Sequence, residues 1–198
     1  HRPMSDGPVQ RSDLALHPIL NARYSPRAFS ERAVTDEELE LVLEAARWAP
    51  SSMNEQPWRF LVTRRGEEGH AELLATLNPS NQVWAHKAPV LILNLVHRIL
   101  SRIGQENFHA RHDLGIATAQ LTAQATALGM GLHILGGFHA DAARAAFGIP
   151  EAYDVVSVIV LGFPGDPASL PEHLHQRELH HSPRRPLAEL VHYGRFNG

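Results

Sequence analysis

The sequence contains no cysteine among its 198 residues. This absence excludes disulfides, thiolate zinc sites, iron–sulfur clusters and cysteine nucleophiles. Lysine is almost absent as well, because Lys87 is the single lysine and all the other basic residues are arginine. Arginine is suited to bidentate capture of phosphate and carboxylate. The positions where arginines cluster are therefore the first places to look for an anion site.

Positive charge and long apolar runs are also missing. The net charge is -3 with neutral histidines, which gives no basic field to recruit nucleic acid or an anionic membrane. The longest apolar run, 88–96, is interrupted by Asn94 and is far shorter than the ~20 residues needed to span a bilayer. The first residues include no apolar stretch of signal-peptide type. We therefore expect a cytoplasmic protein with no nucleic-acid partner and no membrane association.

Length and composition predict a single domain over 1–198. Hydrophobic residues make up 43% and charged residues 20% of the chain, which is ordinary for a folded globular protein. Residues 1–11 are predicted to be a flexible lead-in. Residues 165–198, rich in proline, histidine and arginine, are predicted to form an extended C-terminal tail outside the core.

Hydrophobic spacing predicts an α+β (mixed α/β) fold. A capping-box pattern at Thr35 and Glu38 opens one helix, which stops at Pro50. The other helices are predicted over 14–22, 67–77 and 107–130, with a further one opened by Asp141. Strands are predicted over 58–63, 89–96, 133–135 and 155–161. The continuous apolar run at 89–96 is typical of a strand covered on both faces.

Four clusters offer polar or backbone groups to a ligand. The first is Arg23-Tyr24-Ser25-Pro26-Arg27, where two arginines and a hydroxyl in one turn can converge on a phosphate. The second is the polar loop 49–58, bounded by prolines, which suits the edge of a planar heterocycle. The third is Leu135-Gly136-Gly137-Phe138, where glycines let the backbone approach a ligand. The fourth is Ser182-Pro183-Arg184-Arg185-Pro186, a second candidate anion contact. Each cluster also fits an ordinary turn, connection or solvated segment.

Together these motifs resemble the nitroreductase family of flavin-dependent oxidoreductases. The resemblance covers about 21–192 and rests on the Arg-Tyr-Ser-Pro-Arg turn, the Pro-Ser-Ser-Met-Asn-Glu-Gln-Pro-Trp stretch, Gly-Gly-Phe and the late arginine pair. It implies a central, mainly antiparallel sheet flanked by helices. It also implies a homodimer that holds FMN at the subunit interface, with NADH or NADPH as reductant.

The same resemblance assigns residues to the cofactor. It implies that the FMN phosphate, ribityl chain and pyrimidine edge contact Arg23, Tyr24, Ser25 and Arg27. It implies that the partner subunit contributes Pro50, Ser51, Ser52, Asn54 and Gln56. The isoalloxazine would be lined by Leu135, Gly136 and Gly137, and the phosphate would also meet Arg184 or Arg185, with Arg184 favoured by its spacing. Larger family members carry an additional pyrimidine contact, for which Asn81 is the candidate in the short link 81–87.

The predicted function is reduction of a small electron-poor acceptor, such as a nitroaromatic or a quinone, by NAD(P)H through FMN in a ping-pong scheme. The flavin carries the chemistry, so no side chain is nominated as a catalytic acid or base. The alternatives are a non-catalytic flavin-binding module and a specialised branch of the family, resembling a deiodinase or a flavin-destroying enzyme. A metal site formed by His173, His175, His180 and His181 is a weaker alternative, since no periodic element orients these side chains.

Overall fold

The computed structural model describes residues 12–180 and 182–196. Within them, the α-helices are α1 (Pro18–Ala22), α2 (Asp36–Arg47), α3 (His70–Ala75), α4 (Pro79–Ala85), α5 (Ala110–Ala127), α6 (Ala140–Phe147) and α7 (Glu172–Leu179). The strands are β1 (Trp58–Arg64), β2 (Val90–His97), β3 (Gly131–Leu135) and β4 (Tyr153–Gly162). Short 3-10 turns occur at Ser52–Asn54, Pro167–Ser169 and Leu187–Glu189. The predicted lead-in, 1–11, lies outside the described residues.

The four strands form one sheet in the order β1-β2-β4-β3. Every neighbouring pair in this sheet is antiparallel. The prediction of a mixed α/β fold with an antiparallel sheet flanked by helices is therefore confirmed. No helix among the described residues is both long enough and apolar enough to cross a membrane.

Side-chain alternation along β2 divides the interior into two cores. Val90, Ile92 and Val96 belong to one core, which also contains buried residues of α2 and α5. Leu91 and Leu93 face the opposite way, into a second core that includes residues of α3, α4, α6 and α7. Successive side chains of a strand point to opposite faces. A continuous apolar run is therefore what a strand covered on both sides requires, as predicted.

The predicted capping box at the start of α2 is present. The Glu38 amide donates to Thr35 Oγ1 at 3.2 Å, and the Thr35 amide donates to Glu38 Oε2 at 3.0 Å. These reciprocal bonds satisfy two amides that a helix start otherwise leaves without partners.

The segment after β1 differs from the prediction. One helix was expected over 67–77, followed by a link over 81–87, but the structure has α3 and α4 as separate short helices. The left-handed Gly69 delays the start of α3, and Pro79 at the first turn of α4 starts a new helix. Proline is favoured there because the first helical amide has no intrahelical acceptor.

The expectation that nothing after residue 165 enters the core is wrong. Leu170 and Leu174 are buried in the second core, and α7 occupies the middle of the predicted tail. Leu174 lies on α7 and Leu170 lies just before it, so both the helix and the segment leading into it are attached to the core. Two leucines among proline, histidine and arginine give too weak a hydrophobic pattern to predict a helix. Beyond α7, the described residues 182–191 are all exposed.

Candidate functional site

A cavity of about 290 Å³ opens beside the turn 23–27. Its walls come from that turn, from β3, from α7 and from the segment after α7. The lining residues are Arg23, Tyr24, Ser25, Arg27, His133, Arg177, Glu178, His180, Ser182 and Arg184. The structure thus brings together two clusters that lie more than 150 residues apart in the sequence.

Positive charge is concentrated in this cavity. Burial, followed by the proximity of Arg184, lowers the pKa of Arg23. Burial, followed by the proximity of Arg177, lowers the pKa of Arg27, while Glu178 acts in the opposite direction. Four guanidinium groups therefore share the cavity with one carboxylate. A phosphate group fits this set, because it offers bidentate acceptors to arginine and balances the excess positive charge.

The turn is held in place from two sides. The Glu178 carboxylate accepts hydrogen bonds from the amides of Arg27 and Ala28 at 2.9–3.1 Å. From β3, His133 Nδ1 donates to the Pro26 carbonyl oxygen at 3.1 Å. Three consecutive residues of the turn are therefore fixed by side chains from α7 and β3.

Two further side chains in the cavity are held in their neutral forms. Burial is the main reason that the pKa of His133 falls to about 4, and Arg27 lowers it further. The His133 ring packs against Trp84 with 4.8 Å between ring centroids. Burial, with Glu178 as the second cause, raises the pKa of Tyr24 to about 12. At neutral pH both groups act as uncharged hydrogen-bonding groups.

The polar loop after α2 has a strained conformation held by hydrogen bonds. The residues with positive φ are Met53, Asn54 and Gln56, at 53°, 56° and 49°. The Gln56 amide donates to Ser51 Oγ, and the Ser52 amide donates to the buried carboxylate of Asp113 at 3.0 Å. Left-handed backbone at non-glycine residues persists only where the surroundings impose it, and it is concentrated at functional sites.

This loop and the arginine cavity lie at different ends of α5. Asp113, which binds the loop, is in the first turn of α5. Thr122, nine residues later and thus about 13 Å further along the helix axis, lines a second cavity with Arg23 and Ser25. None of the five predicted loop residues, Pro50, Ser51, Ser52, Asn54 and Gln56, lines the arginine cavity of its own chain.

The glycine pair follows β3 and contacts α4. The Gly137 carbonyl oxygen accepts hydrogen bonds from the Asn78 amide at 3.0 Å and from Asn81 Nδ2 at 2.9 Å. A Cβ at position 137 would lie 2.7 Å from Asn81 Nδ2, so a larger residue here would displace the Asn81 side chain. Leu135 is buried, and Gly136 has open space around its Cα. Asn81 therefore lies beside the Gly-Gly turn, in α4 rather than in a link.

The two late arginines occupy different positions. Arg184 lines the cavity and Arg185 does not. Arg184 Nη1 also donates to the Ser182 carbonyl oxygen at 3.0 Å, which curves this segment back on itself.

Comparison with known proteins identifies the family. A sequence profile described as the nitroreductase family matches residues 20–91 and 69–163, which is more than half of the chain. The chain belongs to the nitroreductase family. A relative from Archaeoglobus fulgidus, provisionally named an NADH dehydrogenase/NAD(P)H nitroreductase, is 32% identical over 155 residues, covering 75% of this chain and 84% of its own.

Two solved structures that contain FMN have the same fold. An oxidoreductase described as containing FMN superposes with a TM-score of 0.90 at 34% identity, covering 98% of this chain and 100% of its own. A provisionally assigned nitroreductase from Desulfovibrio desulfuricans, solved in complex with FMN, gives a TM-score of 0.73 at 30% identity, covering 92% and 100%.

Four cavity residues of this nitroreductase-family chain were not predicted from its sequence. They are His133, Arg177, Glu178 and His180. The four-residue spacing of Leu174 and Glu178, the two buried residues of α7, was the available signal, since positions four apart share a helix face. No sequence signal marked His133, which reaches the cavity only because β3 pairs with β4 at the edge of the sheet.

The histidine-rich segment after residue 172 was the candidate for a metal site. Across residues 12–180 and 182–196, no group of three or more histidine, aspartate or glutamate side chains is arranged to hold a metal ion. His180 lines the arginine cavity, while His173 is exposed on α7. His181 lies outside the described residues.

Proposed function

We propose that this chain is an FMN-dependent oxidoreductase that uses NAD(P)H to reduce a small electron-poor acceptor, such as a nitroaromatic or a quinone. The observation that carries the proposal is the convergence of four arginines on one cavity at the turn 23–27. Two structural relatives contain FMN, and the archaeal relative is named as an NAD(P)H nitroreductase. Both observations support the proposed function.

In this proposal, the cavity residues bind the cofactor through its phosphate. Arg23, Ser25 and Arg184 would donate to phosphate oxygens, with Tyr24 beside the ribityl chain. Arg27 lines the same cavity and would add its positive charge to the phosphate site. Arg185 is not assigned to the phosphate, because it lies outside the cavity.

The Gly-Gly turn would supply the surface for the flavin ring. Leu135 ends β3 beside it, and Gly136 leaves the backbone accessible. Asn81 holds Gly137 through the carbonyl hydrogen bond. We therefore assign Asn81 the role of fixing this turn next to the ring, in addition to any contact of its own with the pyrimidine.

A homodimer is part of the proposal, because one chain holds only part of the site. The strained loop 51–56 is at the far end of α5 from the arginines, so a second copy is needed to bring its Ser, Asn and Gln side chains to the flavin. An apolar cavity of about 260 Å³ between α1, α5 and β3 is lined in part by the exposed Leu20 and Ile134. Exposed apolar surface at this position suits a subunit interface.

The late segment also fits an assembly of two chains. The exposed large hydrophobic residues after α7 are Leu187, Leu190, Val191, Tyr193 and Phe196. None of these residues belongs to either core of the chain. Exposed apolar residues repeated along one segment are suited to packing on a partner subunit.

FMN supplies the redox chemistry when bound, accepting hydride from reduced nicotinamide and passing it to the acceptor. The residues of this chain bind and orient the reactants and exclude water. Since reductant and acceptor would use the same position in turn, initial rates are expected to follow a ping-pong pattern. Double-reciprocal plots would then give parallel lines, and intersecting lines would contradict this order.

Anaerobic spectroscopy of the purified protein tests the proposal. We expect flavin absorption bands that bleach when NADH or NADPH is added and return when a quinone or nitroaromatic follows. Protein that lacks flavin bands and does not bind added FMN would contradict the proposal. Flavin bands that neither nucleotide bleaches would favour the alternative of a non-catalytic flavin-binding module.

A further inference from the structure

The carboxylate of Glu178 is the one acidic group in the arginine cavity. Its side chain is only 3% exposed. Both oxygens accept from the Arg27 amide at 2.9 and 3.0 Å, and Oε1 also accepts from the Ala28 amide at 3.1 Å. A carboxylate buried among arginines would ordinarily be expected to pair with a guanidinium group. Here its shortest contacts are to backbone amides.

We propose that Glu178 is a positioning residue for phosphate binding: it fixes the backbone of Arg27 and Ala28, so that the arginine turn presents its side chains to the cavity. This inference rests on the proposed binding of FMN phosphate in the same cavity. It adds a residue that the sequence motifs do not contain and that lies 151 positions from Arg27.

The distances favour positioning over charge compensation. The closest approach of Glu178 to the Arg27 guanidinium is 3.9 Å, outside hydrogen-bonding range. Its three amide contacts are all 3.1 Å or shorter. A hydrogen bond weakens steeply beyond its normal range, and charged acceptors make the stronger bonds. Most of the binding capacity of the carboxylate is therefore used on the turn, not on the guanidinium.

A second side chain, that of His133, supports the same turn. His133 fixes the Pro26 carbonyl oxygen from β3, on the other side of the same peptide segment. With Glu178 in place, the backbone from Pro26 to Ala28 is held before a ligand arrives. Groups fixed in their bound geometry lose less conformational entropy on binding, which raises affinity. Removing Glu178 leaves the turn attached through Pro26 but frees the next two amides.

Helix α7 carries both Glu178 and a further residue of the cavity wall. Arg177 precedes Glu178 and lines the same cavity. The helix itself is held to the second core by Leu174. Glu172 lies six residues earlier on α7, with its side chain 79% exposed, and is the matched control for a change of charge on this helix.

The test compares FMN with riboflavin, which has the same ring system but no phosphate. Dissociation constants are measured by flavin fluorescence for the wild type, Glu178→Gln, Glu178→Asp and Glu172→Gln. We expect both Glu178 variants to lose affinity for FMN by about tenfold or more, the scale of one charge-assisted hydrogen-bond set. Riboflavin affinity should be unchanged in all four proteins, and Glu172→Gln should match the wild type.

Several outcomes would overturn the inference. Tighter FMN binding by Glu178→Gln would mean that the carboxylate acts mainly as a charge opposing the phosphate. Unchanged FMN binding would mean that the turn does not need this support. Equal losses for FMN and riboflavin would indicate general damage to the fold. A wild type that binds both flavins equally would contradict the phosphate site itself, and so the proposed function.

Amide hydrogen exchange provides a readout that does not depend on a cofactor. In the wild type, the amides of Arg27 and Ala28 should be protected by the Glu178 carboxylate. In Glu178→Gln they should exchange faster, while the amides that pair β2 with β4 keep their protection. Unchanged protection at both residues would overturn the inference even if the binding experiment were complicated by partial unfolding.

Discussion

His133 is expected to make the stability of the protein depend on pH. Its pKa is about 4 in the folded chain, against an ordinary value of 6.5, because of burial and then Arg27. Between these values the unfolded chain binds a proton that the folded chain does not, so stability falls as the pH is lowered from 6.5 to 4. The loss is on the order of 3 kcal/mol from this group.

A variant that keeps the hydrogen bond but cannot titrate isolates this effect. In His133→Asn, the side-chain amide nitrogen lies close to the position of the imidazole Nδ1 and can still donate to the Pro26 carbonyl oxygen. We expect the free energy of unfolding of this variant, measured by urea denaturation in phosphate-free buffer, to vary less between pH 6.5 and 4 than that of the wild type. Identical pH profiles would refute the assignment to His133.

The adjacent arginines 184 and 185 provide a matched pair for cofactor binding. Arg184 lines the cavity and Arg185 is exposed outside it. Arg184→Ala should weaken FMN binding by roughly tenfold or more, because it removes a charge-assisted contact to phosphate. Arg185→Ala should change the dissociation constant by less than about twofold, the small effect usual for exposed charges. Equal effects in fluorescence titrations would show that only the net charge matters.

At the scale of elements, α7 is expected to be a stabilising part of the fold. Leu174 is 4% exposed in the second core, and Leu179 on the same helix is 49% exposed. Leu174→Ala should lower the free energy of unfolding by about 2–5 kcal/mol, the range for deleting a buried leucine side chain. Leu179→Ala should cost less than about 1 kcal/mol. Urea denaturation would measure both, and similar values would mean that α7 is not part of the cooperative unit.

The elements that the sequence predicts well are those specified by neighbouring residues. The capping box of α2 and the apolar runs of β2 and β4 have their causes within a few positions. The turn 23–27 was likewise predicted as a candidate anion site because its two arginines and its serine lie within five residues. The division of loop and arginines between the two ends of α5 depends on helix length and packing, and no local pattern contains it.

The missed features have non-local causes. Glu178 looks like one charge among several in a polar segment until α7 packs beside the turn. His133 is indistinguishable from any strand histidine until Trp84 and the arginines surround it. The left-handed backbone at Met53 is disfavoured by its own side chain, and hydrogen bonds around the loop impose it. No local pattern in the sequence indicates this conformation, because contacts around the loop impose it.

At the scale of the whole molecule, assembly and cofactor binding are expected to be linked. If the loop 51–56 completes the site of a neighbouring subunit, FMN binds the dimer and stabilises it by mass action. We predict a dimer by sedimentation or light scattering, with a thermal midpoint that rises with protein concentration and again with added FMN. A monomer that carries stoichiometric FMN would contradict the shared site.

The two walls of the arginine cavity are made at different times during synthesis. The turn is translated early, whereas Glu178 follows Arg27 by 151 residues, after the last strand of the sheet. Domains fold from the N-terminal side as the chain emerges from the ribosome. The sheet can therefore assemble in a nascent chain that cannot yet capture its ligand. In ribosome-arrested chains of increasing length, the amides of Arg27 and Ala28 should become protected from hydrogen exchange only once Glu178 has left the exit tunnel, so a turn made early in synthesis is fixed late.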